Sequence, residues 1–286
     1  MTLFICGRGT PSPTINATTP SGRFMLTKGF RCAIMTLTIK CFYCEEIMDT
    51  VKIKKKNTLV VAHRGVSGIE TENTSAAFVA AGNRSYYGIE TDIHRTADGR
   101  FVVCHDGDLM RVAGEKFYIE ETSYSVLKNV VLFDKDGSKD REDLRLPLLE
   151  NYIGICKKYG KHAVLELKTD FTDEEIAKII DIIRSFEYLD GTTFISFNYE
   201  NLAKIRALLP NQSVQFLFNR FTDEIIDRLI SDGMDADVHY TALNKEIIDK
   251  LHGAGVKINC WTVDNKEIAE QLTQWGVDFI TTNILE

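Results

Sequence analysis

The sequence lacks any apolar run of the roughly 18 to 20 residues that a membrane-spanning helix needs, so we expect no stable membrane insertion. It also lacks an excess of positive charge, since its formal net charge is −7. Proteins that bind nucleic acids neutralise phosphates with a basic face, and this balance therefore argues against a nucleic-acid partner. Small anionic substrates stay open, because a few local cations or a metal can override the net sign.

The composition is not that of a disordered or fibrous chain, because 44% of the 286 residues are apolar and 26% are charged. Paired cysteines of a disulfide framework are missing as well, since the seven cysteines are odd in number and scattered. Cys104, Cys156 and Cys260 fall in predicted strands or helices, where reduced thiols pack as small apolar groups. This usage predicts a reducing compartment and hence a cytoplasmic protein.

The first part of the chain differs from the rest. Residues 1–44 contain no Asp or Glu, carry five Lys and Arg, and show no clear periodicity. We predict that residues 1–47 are an extension outside the fold, either unstructured or read through upstream of Met48, with a targeting or secretion segment as the alternative. Cys41 and Cys44 form a lone CxxC pair, a weak signal for zinc or redox chemistry because no second pair lies nearby.

From Asn57 onward, short β-branched runs alternate with helical segments, which is typical of parallel α/β architecture. A capping box of Thr172 and Glu175 predicts the start of one helix. The other predicted helices that lie between strands are 200–209, 223–231, 244–252 and 265–275. The predicted strands are 59–63, 88–93, 101–105, 163–167, 193–197, 214–218, 236–240, 256–261 and 278–282.

Nine strands are one too many for a TIM (β/α)8 barrel. Asp98-Gly99, between the second and third strands, is a strong signal for a two-residue hairpin turn and explains the surplus. We therefore predict a TIM barrel over residues 57–286, with a hairpin elaboration and an insertion between the third and fourth strands. The insertion should hold a helix near 123–130 and another opened by Pro147. A doubly wound open sheet is the alternative fold.

The hairpin brings polar groups to one face of the sheet. With Asp98 and Gly99 as the loop, the register predicts that Asp92 lies opposite His105. Glu90 is two residues from Asp92 and therefore shares its face. Two carboxylates and an imidazole are thus expected to lie side by side.

Two further strands end in charge. Glu166 and Lys168 share one face of the fourth strand by alternation, and the first strand runs into His63 and Arg64. Because the carboxyl ends of barrel strands meet at one mouth, we expect all these groups to converge there. Buried charges need partners, and a divalent metal would supply one.

The chemistry of this cluster is that of a phosphate site. The carboxylates of Glu90, Asp92 and Glu166 suit one hard divalent cation, Mg²⁺ or Ca²⁺ with Mn²⁺ as a further candidate, more than zinc. A metal beside Arg64 and Lys168 would make a positive pocket for a phosphate oxyanion. The two histidines would then serve as general acid and general base. The sequence therefore predicts phosphodiester cleavage.

The same residues carry a resemblance to a known family. The blocks are HRG at 63–65, ENT at 72–74, AF at 77–78, GIETD at 88–92, TADGRFVVCHD at 96–106, LPLLE at 146–150, LELK at 165–168, ISF at 195–197 and CWTVDN at 260–265. In this order, over nearly all of residues 58–283, they resemble the successive motifs of the glycerophosphodiester phosphodiesterase family.

The resemblance implies a metal-dependent TIM barrel that hydrolyses glycerophosphodiesters, its small-molecule partners, to sn-glycerol 3-phosphate and an alcohol. By similarity, His63 and His105 match the acid-base pair. Glu90, Asp92 and Glu166 match the metal ligands. In this family the glycerol hydroxyl of the substrate attacks phosphorus to give a cyclic phosphate that water opens, and the sequence leaves open which histidine acts first.

The resemblance also assigns substrate contacts. By similarity, Arg64 and Lys168 match the phosphate contacts, and Phe197 and Trp261 line the mouth. Glu72 of the ENT block is assigned to the substrate-binding set, with support of the neighbouring histidine or arginine as its alternative role. Two other activities stay open: a phospholipase C- or D-like enzyme that acts on intact phospholipids, and a catalytically silent binding module.

The chain departs from the family pattern at two places. Thr71 stands where the family usually has Pro before ENT, and residues 281–286 read TTNILE instead of a TD-x-P ending. We expect these departures to alter loop geometry and to touch neither the metal nor the histidine positions. Asn73 is predicted to be a helix N-cap.

Overall fold

The computed structural model describes residues 49–286, so the predictions for residues 1–47, including the Cys41 and Cys44 pair, lie outside the described part of the chain. The strands are β1 Leu59–Ala62, β2 Gly88–Arg95, β3 Phe101–Val103, β4 His162–Leu167, β5 Thr192–Ser196, β6 Val214–Phe218, β7 Asp235–His239, β8 Ile258–Trp261 and β9 Phe279–Thr282. The helices are α1 Ser75–Gly82, α2 Met110–Ala113, α3 Tyr124–Leu127, α4 Leu149–Tyr159, α5 Asp173–Ser185, α6 Tyr199–Leu208, α7 Asp223–Asp232, α8 Lys245–Gly253 and α9 Lys266–Trp275.

Eight parallel strands close into a ring. Neighbours follow the order β1, β9, β8, β7, β6, β5, β4, β2, and β1 also pairs with β2, which joins the two ends. The antiparallel strand β3 pairs with β2 outside the ring. The predicted TIM barrel with a hairpin elaboration is therefore confirmed, and the alternative of an open sheet is wrong.

The helices cover the outside of the barrel with apolar faces. Helix α5 begins at the predicted capping box, where the Thr172 side chain accepts a hydrogen bond from the Glu175 backbone N–H at 3.3 Å. Burial of one isoleucine side chain stabilises a fold by about 1.5 to 3 kcal/mol. The buried residues of α5 are Ile176, Ile179, Ile180 and Ile183. None of the helices within residues 49–286 is long and apolar enough to cross a membrane.

A small apolar layer inside the barrel supports the mouth. Val61, Val164, Ile195 and Leu217 come from four different strands and pack against one another. Side chains in a strand alternate between its two faces, so the residue two positions further along points the same way. Those positions are Glu166 on β4, His63 directly after β1 and Phe197 directly after β5. The apolar layer therefore forms the floor beneath the polar residues of the mouth.

The predicted register of the hairpin is wrong by one residue. Ile93 pairs with Val103, and the Cys104 N–H donates to the Asp92 carbonyl at 3.1 Å, so Cys104 lies opposite Asp92 in place of His105. The turn has three loop residues, because Thr96 N–H donates to the Arg100 carbonyl at 2.8 Å. A three-residue loop shifts the pairing by one position and requires a left-handed residue, supplied by a glycine in the loop.

The insertion between β3 and β4 has a core of its own. Its apolar residues pack on the outer face of the hairpin and include Leu109, Ile119, Leu127 and Leu144. The predicted helix near 123–130 corresponds to α3, and the helix after the proline of the LPLLE block corresponds to α4. The insertion thus forms a packed flank beside the carboxyl end of β2.

Candidate functional site

A sharp turn follows β1 and aims two polar side chains at the barrel mouth. The His63 N–H donates to the Thr282 carbonyl at 2.8 Å, and the Arg64 N–H donates to Glu90 Oε2 at 2.8 Å. Gly65 has a φ of 77°, and a Cβ at this position would lie 2.6 Å from the Cβ of Ala77. Only glycine fits this backbone conformation and this close approach to α1, which explains the glycine of the HRG block.

The three predicted acidic residues lie together and are buried. Asp92 of β2 pairs in register with Glu166 of β4, and one carboxylate oxygen from each of Glu90, Asp92 and Glu166 lies within 4.8 Å of the others. Burial, followed by repulsion from Asp92 and Glu166, raises the pKa of Glu90 well above its usual value. Burial and the neighbouring Asp92 raise the pKa of Glu166 to about 8. This crowding of oxygen donors is what a hard divalent cation requires.

Two cations lie against the carboxylates. Lys168 Nζ is 2.8 Å from Glu166 Oε1 and 3.5 Å from Asp92 Oδ1, and Arg64 Nε is 3.6 Å from Asp92 Oδ2. Burial alone would raise the pKa of Asp92, but Lys168 and Arg64 outweigh it and lower this pKa to about 2. Asp92 is therefore the carboxylate of the cluster that stays charged most firmly.

His63 lies beside Glu90, with its two ring nitrogens in different surroundings. Its Nδ1 is 2.7 Å from Asn283 Oδ1, and its Nε2 is 4.0 Å from Glu90 Oε2. Burial and the adjacent Arg64 charge lower the pKa of His63 to about 4, so the ring is neutral at pH 7.

The expectation that the TTNILE ending leaves the histidines untouched is wrong, because Asn283 belongs to that ending. Thr71, the other departure, bonds the Phe133 carbonyl at 3.0 Å.

His105 is held by residues of the insertion. Its Nδ1 is 2.7 Å from Asp106 Oδ1, and Arg111 Nε donates to Asp106 Oδ2 at 2.6 Å. Arg111 also donates to both carboxylate oxygens of Glu72, and Glu72 accepts from Arg64 Nη1 at 2.9 Å. A continuous chain of charged groups therefore links the two histidine-bearing loops, and Glu72 lies behind Arg64 within it.

One cavity at the carboxyl end of the barrel collects most of the predicted residues. Asp92 and Glu72 are not among its lining residues, since they lie behind Lys168 and Arg64. The Phe197 and Trp261 rings meet edge to face with 5.7 Å between centroids. The predicted site residues that line the cavity are His63, Arg64, Glu90, His105, Glu166, Lys168, Phe197 and Trp261.

Three buried polar atoms of residues that line this cavity have no hydrogen-bond partner within residues 49–286. They are Arg64 Nε, which lies 3.6 Å from Asp92 Oδ2, Asp237 Oδ1 and Trp261 Nε1. Such groups cost stability unless a ligand or water pairs with them. Sequence reasoning missed Asp237, although its inward position by alternation on β7 could have been read from the strand pattern.

Asn73 has a different role from the predicted one. The cap of α1 is Thr74, whose Oγ1 accepts from the Ala77 N–H at 3.2 Å. The Asn73 amide instead donates to Asp92 Oδ2 at 2.8 Å and accepts from Thr91 Oγ1 at 2.7 Å. The prediction of an N-cap is therefore off by one residue, and Asn73 orients a carboxylate of the acidic cluster.

The chain is similar to known proteins in sequence and in fold. A model of the Glycerophosphoryl diester phosphodiesterase family matches residues 63–286. A glycerophosphodiester phosphodiesterase of Bacillus subtilis is 28% identical over 248 residues, which cover 79% of this chain and 83% of that protein. An Oleispira antarctica phosphodiesterase in complex with the product sn-glycerol-3-phosphate has a TM-score of 0.74 at 26% identity, covering 79% of this chain and 92% of that one. A glycerophosphodiester phosphodiesterase from Parabacteroides distasonis has a TM-score of 0.67 at 30% identity, covering 80% and 94%.

A TIM barrel with buried carboxylates, two histidines and two cations at one mouth fits a phosphodiesterase, which is the class named for these relatives. The chain belongs to the glycerophosphoryl diester phosphodiesterase family, because the family model covers most of its length. The resemblance seen in the sequence blocks is confirmed, and family membership supports hydrolysis of glycerophosphodiesters.

Proposed function

We propose that the protein cleaves glycerophosphodiesters to sn-glycerol 3-phosphate and an alcohol with the help of one divalent cation. The observation that carries the proposal is the acidic cluster of Glu90, Asp92 and Glu166, whose oxygens lie within 4.8 Å of one another beside two histidines. The product named in the Oleispira antarctica structure supports the choice of product.

The donor set fits a hard cation, Mg²⁺ or Ca²⁺ with Mn²⁺ as a further candidate. Burial and then repulsion among the carboxylates raise the pKa values of Glu90 and Glu166, and a divalent charge would offset both effects. When bound, the cation would polarise a phosphoryl oxygen and offset its growing negative charge. Asn73 would keep the Asp92 carboxylate turned toward the cluster, since it donates to Oδ2.

The remaining groups of the cavity would hold the substrate. Arg64 and Lys168 would contact phosphate oxygens, since both cations line the cavity beside the acidic cluster. Phe197 and Trp261 would pack against the carbon atoms of the diester. Glu72 would act indirectly, because its carboxylate is occupied by Arg64 and a second arginine.

The two histidines would move protons in opposite directions. His63 is neutral at pH 7, so it can accept the proton of the attacking glycerol hydroxyl. The oxygen of that hydroxyl forms a bond to phosphorus while the bond from phosphorus to the alcohol oxygen breaks. His105, paired with the Asp106 carboxylate, would donate a proton to the departing oxygen. Water would then open the cyclic phosphate, with the two roles exchanged.

A metal-stripped and metal-replete assay tests the proposal. We expect chelation, His63→Ala and His105→Ala each to lower turnover of glycerophosphocholine by at least about 10²-fold. For the two histidine variants this is the lower end of the usual contribution of one general acid or base. His252→Ala, which removes a histidine bonded to Asp278, is the matched control and should retain activity. Chelator-insensitive turnover would overturn the proposal. Faster turnover of acylated lipids would instead favour a phospholipase, and binding without product would favour a silent module.

We also propose that the protein resides in a reducing compartment, the cytoplasm. The three cysteines within the described residues, Cys104, Cys156 and Cys260, are free and buried. Burial raises the pKa of the Cys104 thiol to about 12, which keeps it protonated and unreactive at pH 7. These thiols support a cytoplasmic protein, and localisation of a tagged full chain by microscopy would test it.

A further inference from the structure

We propose that Asn283, held by Asp264, is a positioning residue that keeps a hydrogen on Nδ1 of the His63 ring and so fixes its tautomer. In this tautomer the hydrogen is on Nδ1, and Nε2 presents a bare lone pair toward the site. The inference rests on the proposed function for the statement that His63 accepts a proton. Its structural content, which is the tautomer itself, can be measured without any substrate.

The contact between His63 and Asn283 defines a direction for the hydrogen bond. His63 Nδ1 is 2.7 Å from Asn283 Oδ1, and an amide oxygen can only accept. The ring nitrogen must therefore carry the hydrogen. A neutral imidazole has one N–H, so the other nitrogen, Nε2, is left without one. Nε2 is the nitrogen that faces Glu90, at 4.0 Å from its Oε2.

Asp264 determines which end of the Asn283 amide faces the histidine. Asn283 Nδ2 donates to Asp264 Oδ2 at 2.6 Å, and the Asn283 backbone N–H donates to Asp264 Oδ1 at 2.8 Å. An ionised carboxylate only accepts hydrogen bonds, so the NH₂ group must point to Asp264 and the oxygen to His63. The assignment of the amide thus follows from its neighbours.

Asp264 is itself fixed. Thr282 Oγ1 donates to Asp264 Oδ1 at 2.9 Å, so both carboxylate oxygens have partners at the end of β9 and in the residue that follows it. Asp264 comes from the loop that follows β8, and His63 from the turn that follows β1. Three neighbouring loops of the barrel are therefore joined through one amide, and His63 has its ring orientation set from outside the cavity.

The residue at position 283 distinguishes this chain from the usual pattern of the family. The family ending TD-x-P would have an aspartate at this position, where the chain has Asn283. An aspartate there would bring a second carboxylate to about the 2.6 Å separation from Asp264 that a hydrogen bond now spans. Like charges so close repel strongly. Asn283 and Asp264 are therefore matched as an amide and a carboxylate, and either one alone cannot be exchanged for the other type.

The experiment records the ring nitrogens of His63 by two-bond ¹H–¹⁵N NMR in the full chain, together with kcat and KM. In the native protein we expect a protonated Nδ1 and a bare Nε2. In Asp264→Asn the amide oxygen should take the Oδ1 position, where the Asn283 N–H and Thr282 Oγ1 donate, so the new NH₂ would face that of Asn283. We therefore expect the amide of Asn283 to turn and present its NH₂ to His63. We expect the tautomer to invert and kcat to fall on the order of 10²- to 10⁴-fold with little change in KM.

The exchanged double variant, Asp264→Asn with Asn283→Asp, is the matched control. It restores one carboxylate and one amide in the opposite order, and the carboxylate again accepts from Nδ1. We expect the Nδ1–H form to return and at least part of kcat with it. If Asn283 had a merely structural role, the exchange would not restore the Nδ1–H form of His63 together with kcat. Thermal unfolding of each variant reports whether the barrel has formed.

Two results would overturn the inference: a native His63 with its hydrogen on Nε2, or an unchanged tautomer and kcat in folded Asp264→Asn. If Asp264→Asn does not fold, Asn283→Ala supplies the test, because it removes the acceptor and should give a mixture of tautomers. An inverted tautomer in a protein that turns over no diester would support the positioning role of Asn283 while it contradicts the proposed function.

Discussion

Arg111 binds Glu72 with both terminal nitrogens, Nη1 at 2.9 Å from Oε2 and Nη2 at 2.8 Å from Oε1. The same guanidinium reaches Asp106 through Nε, and Asp106 holds His105. Planar, two-point pairing of this kind is specific to arginine. Arg111 therefore connects the insertion to both walls of the site without lining the main cavity.

Loss of this link should weaken catalysis more than folding. We expect Arg111→Met to lower kcat by about 10- to 100-fold, the usual effect of removing a group that orients a reacting side chain. Arg111→Lys should recover little, because an ammonium cannot bond Glu72 and Asp106 in the same plane. Arg184→Met, which removes an exposed partner of Asp181, is the control. Steady-state kinetics beside thermal unfolding would check this, and equal kcat in Arg111→Met and the control would contradict it.

Metal addition should stabilise the protein through the acidic cluster. A ligand that binds only the folded state at 100 times its Kd adds about 2.7 kcal/mol to the free energy of unfolding. We expect Mg²⁺ or Ca²⁺ to raise the Tm of the native protein, and Glu166→Gln to abolish most of this rise. Glu174→Gln, on the outer surface of α5, is the control. Equal shifts in all three proteins, measured by differential scanning fluorimetry, would argue against the cluster as the cation site.

Burial of His162 should make the folded protein less stable in acid. Burial lowers its folded pKa from 6.5 to about 4, while its ring stacks on Tyr87 and bonds Thr193. The folded state therefore binds this proton less readily than the unfolded chain. The stabilising contribution of neutral His162 is complete above pH 6.5 and is lost as the pH falls toward 4. The loss amounts to at most about 3 kcal/mol.

Substitution of this ring isolates its contribution. In His162→Phe, which keeps the stacking on Tyr87, the free energy of unfolding should fall less between pH 6.5 and 4 than in the native protein. Urea unfolding at several pH values would measure the two curves. Parallel curves over that interval would show that His162 does not carry the dependence.

Replacement of Asp237 should weaken substrate binding and raise the stability of the fold. Burial and the negative charge of Glu166 raise its pKa well above the usual value, and Oδ1 lacks a partner within residues 49–286. We expect Asp237→Leu to raise the free energy of unfolding by about 1 to 3 kcal/mol, because an unpaired buried polar group is removed. The variant should therefore unfold at a higher urea concentration. The KM for a glycerophosphodiester should rise about tenfold, because a hydroxyl of the substrate loses its acceptor.

The same strand offers a control for Asp237. Asp235 Oδ1 accepts from the Lys257 N–H at 2.9 Å, and Asp235 does not line the cavity. Asp235→Asn should leave KM unchanged. An unaltered KM in Asp237→Leu would mean that the substrate does not use this carboxylate.

The acidic cluster could be predicted because alternation depends only on neighbouring positions along one strand. Glu90 and Asp92 share a face whatever the pairing partner, and so do Glu166 and Lys168. The hairpin register could not be obtained in the same way. The Arg100 N–H donates to Thr96 Oγ1 at 3.0 Å, and this side-chain contact favours a three-residue loop over the two-residue loop that Asp98-Gly99 alone indicates.

The partners of the histidines were harder to predict because the contacts depend on closure of the whole barrel. Asp106 is next to His105 in the chain, yet its second oxygen is committed to Arg111 of the insertion. Asn283 meets His63 only where β1 and β9 come together. No local pattern distinguishes such a residue from any other polar residue that follows a strand.

The seam between β1 and β9 also has a consequence for the order of folding. His63 and Asn283 are 220 residues apart in the sequence, and β1 and β9 pair along four positions. Contacts of such long range form late, because the entropy of closing the intervening loop must be lost first. Intermediates in which β2 to β8 have already paired would hold the acidic cluster in place while His63 still rotates freely. Binding of a cation would then appear earlier during refolding than turnover of substrate.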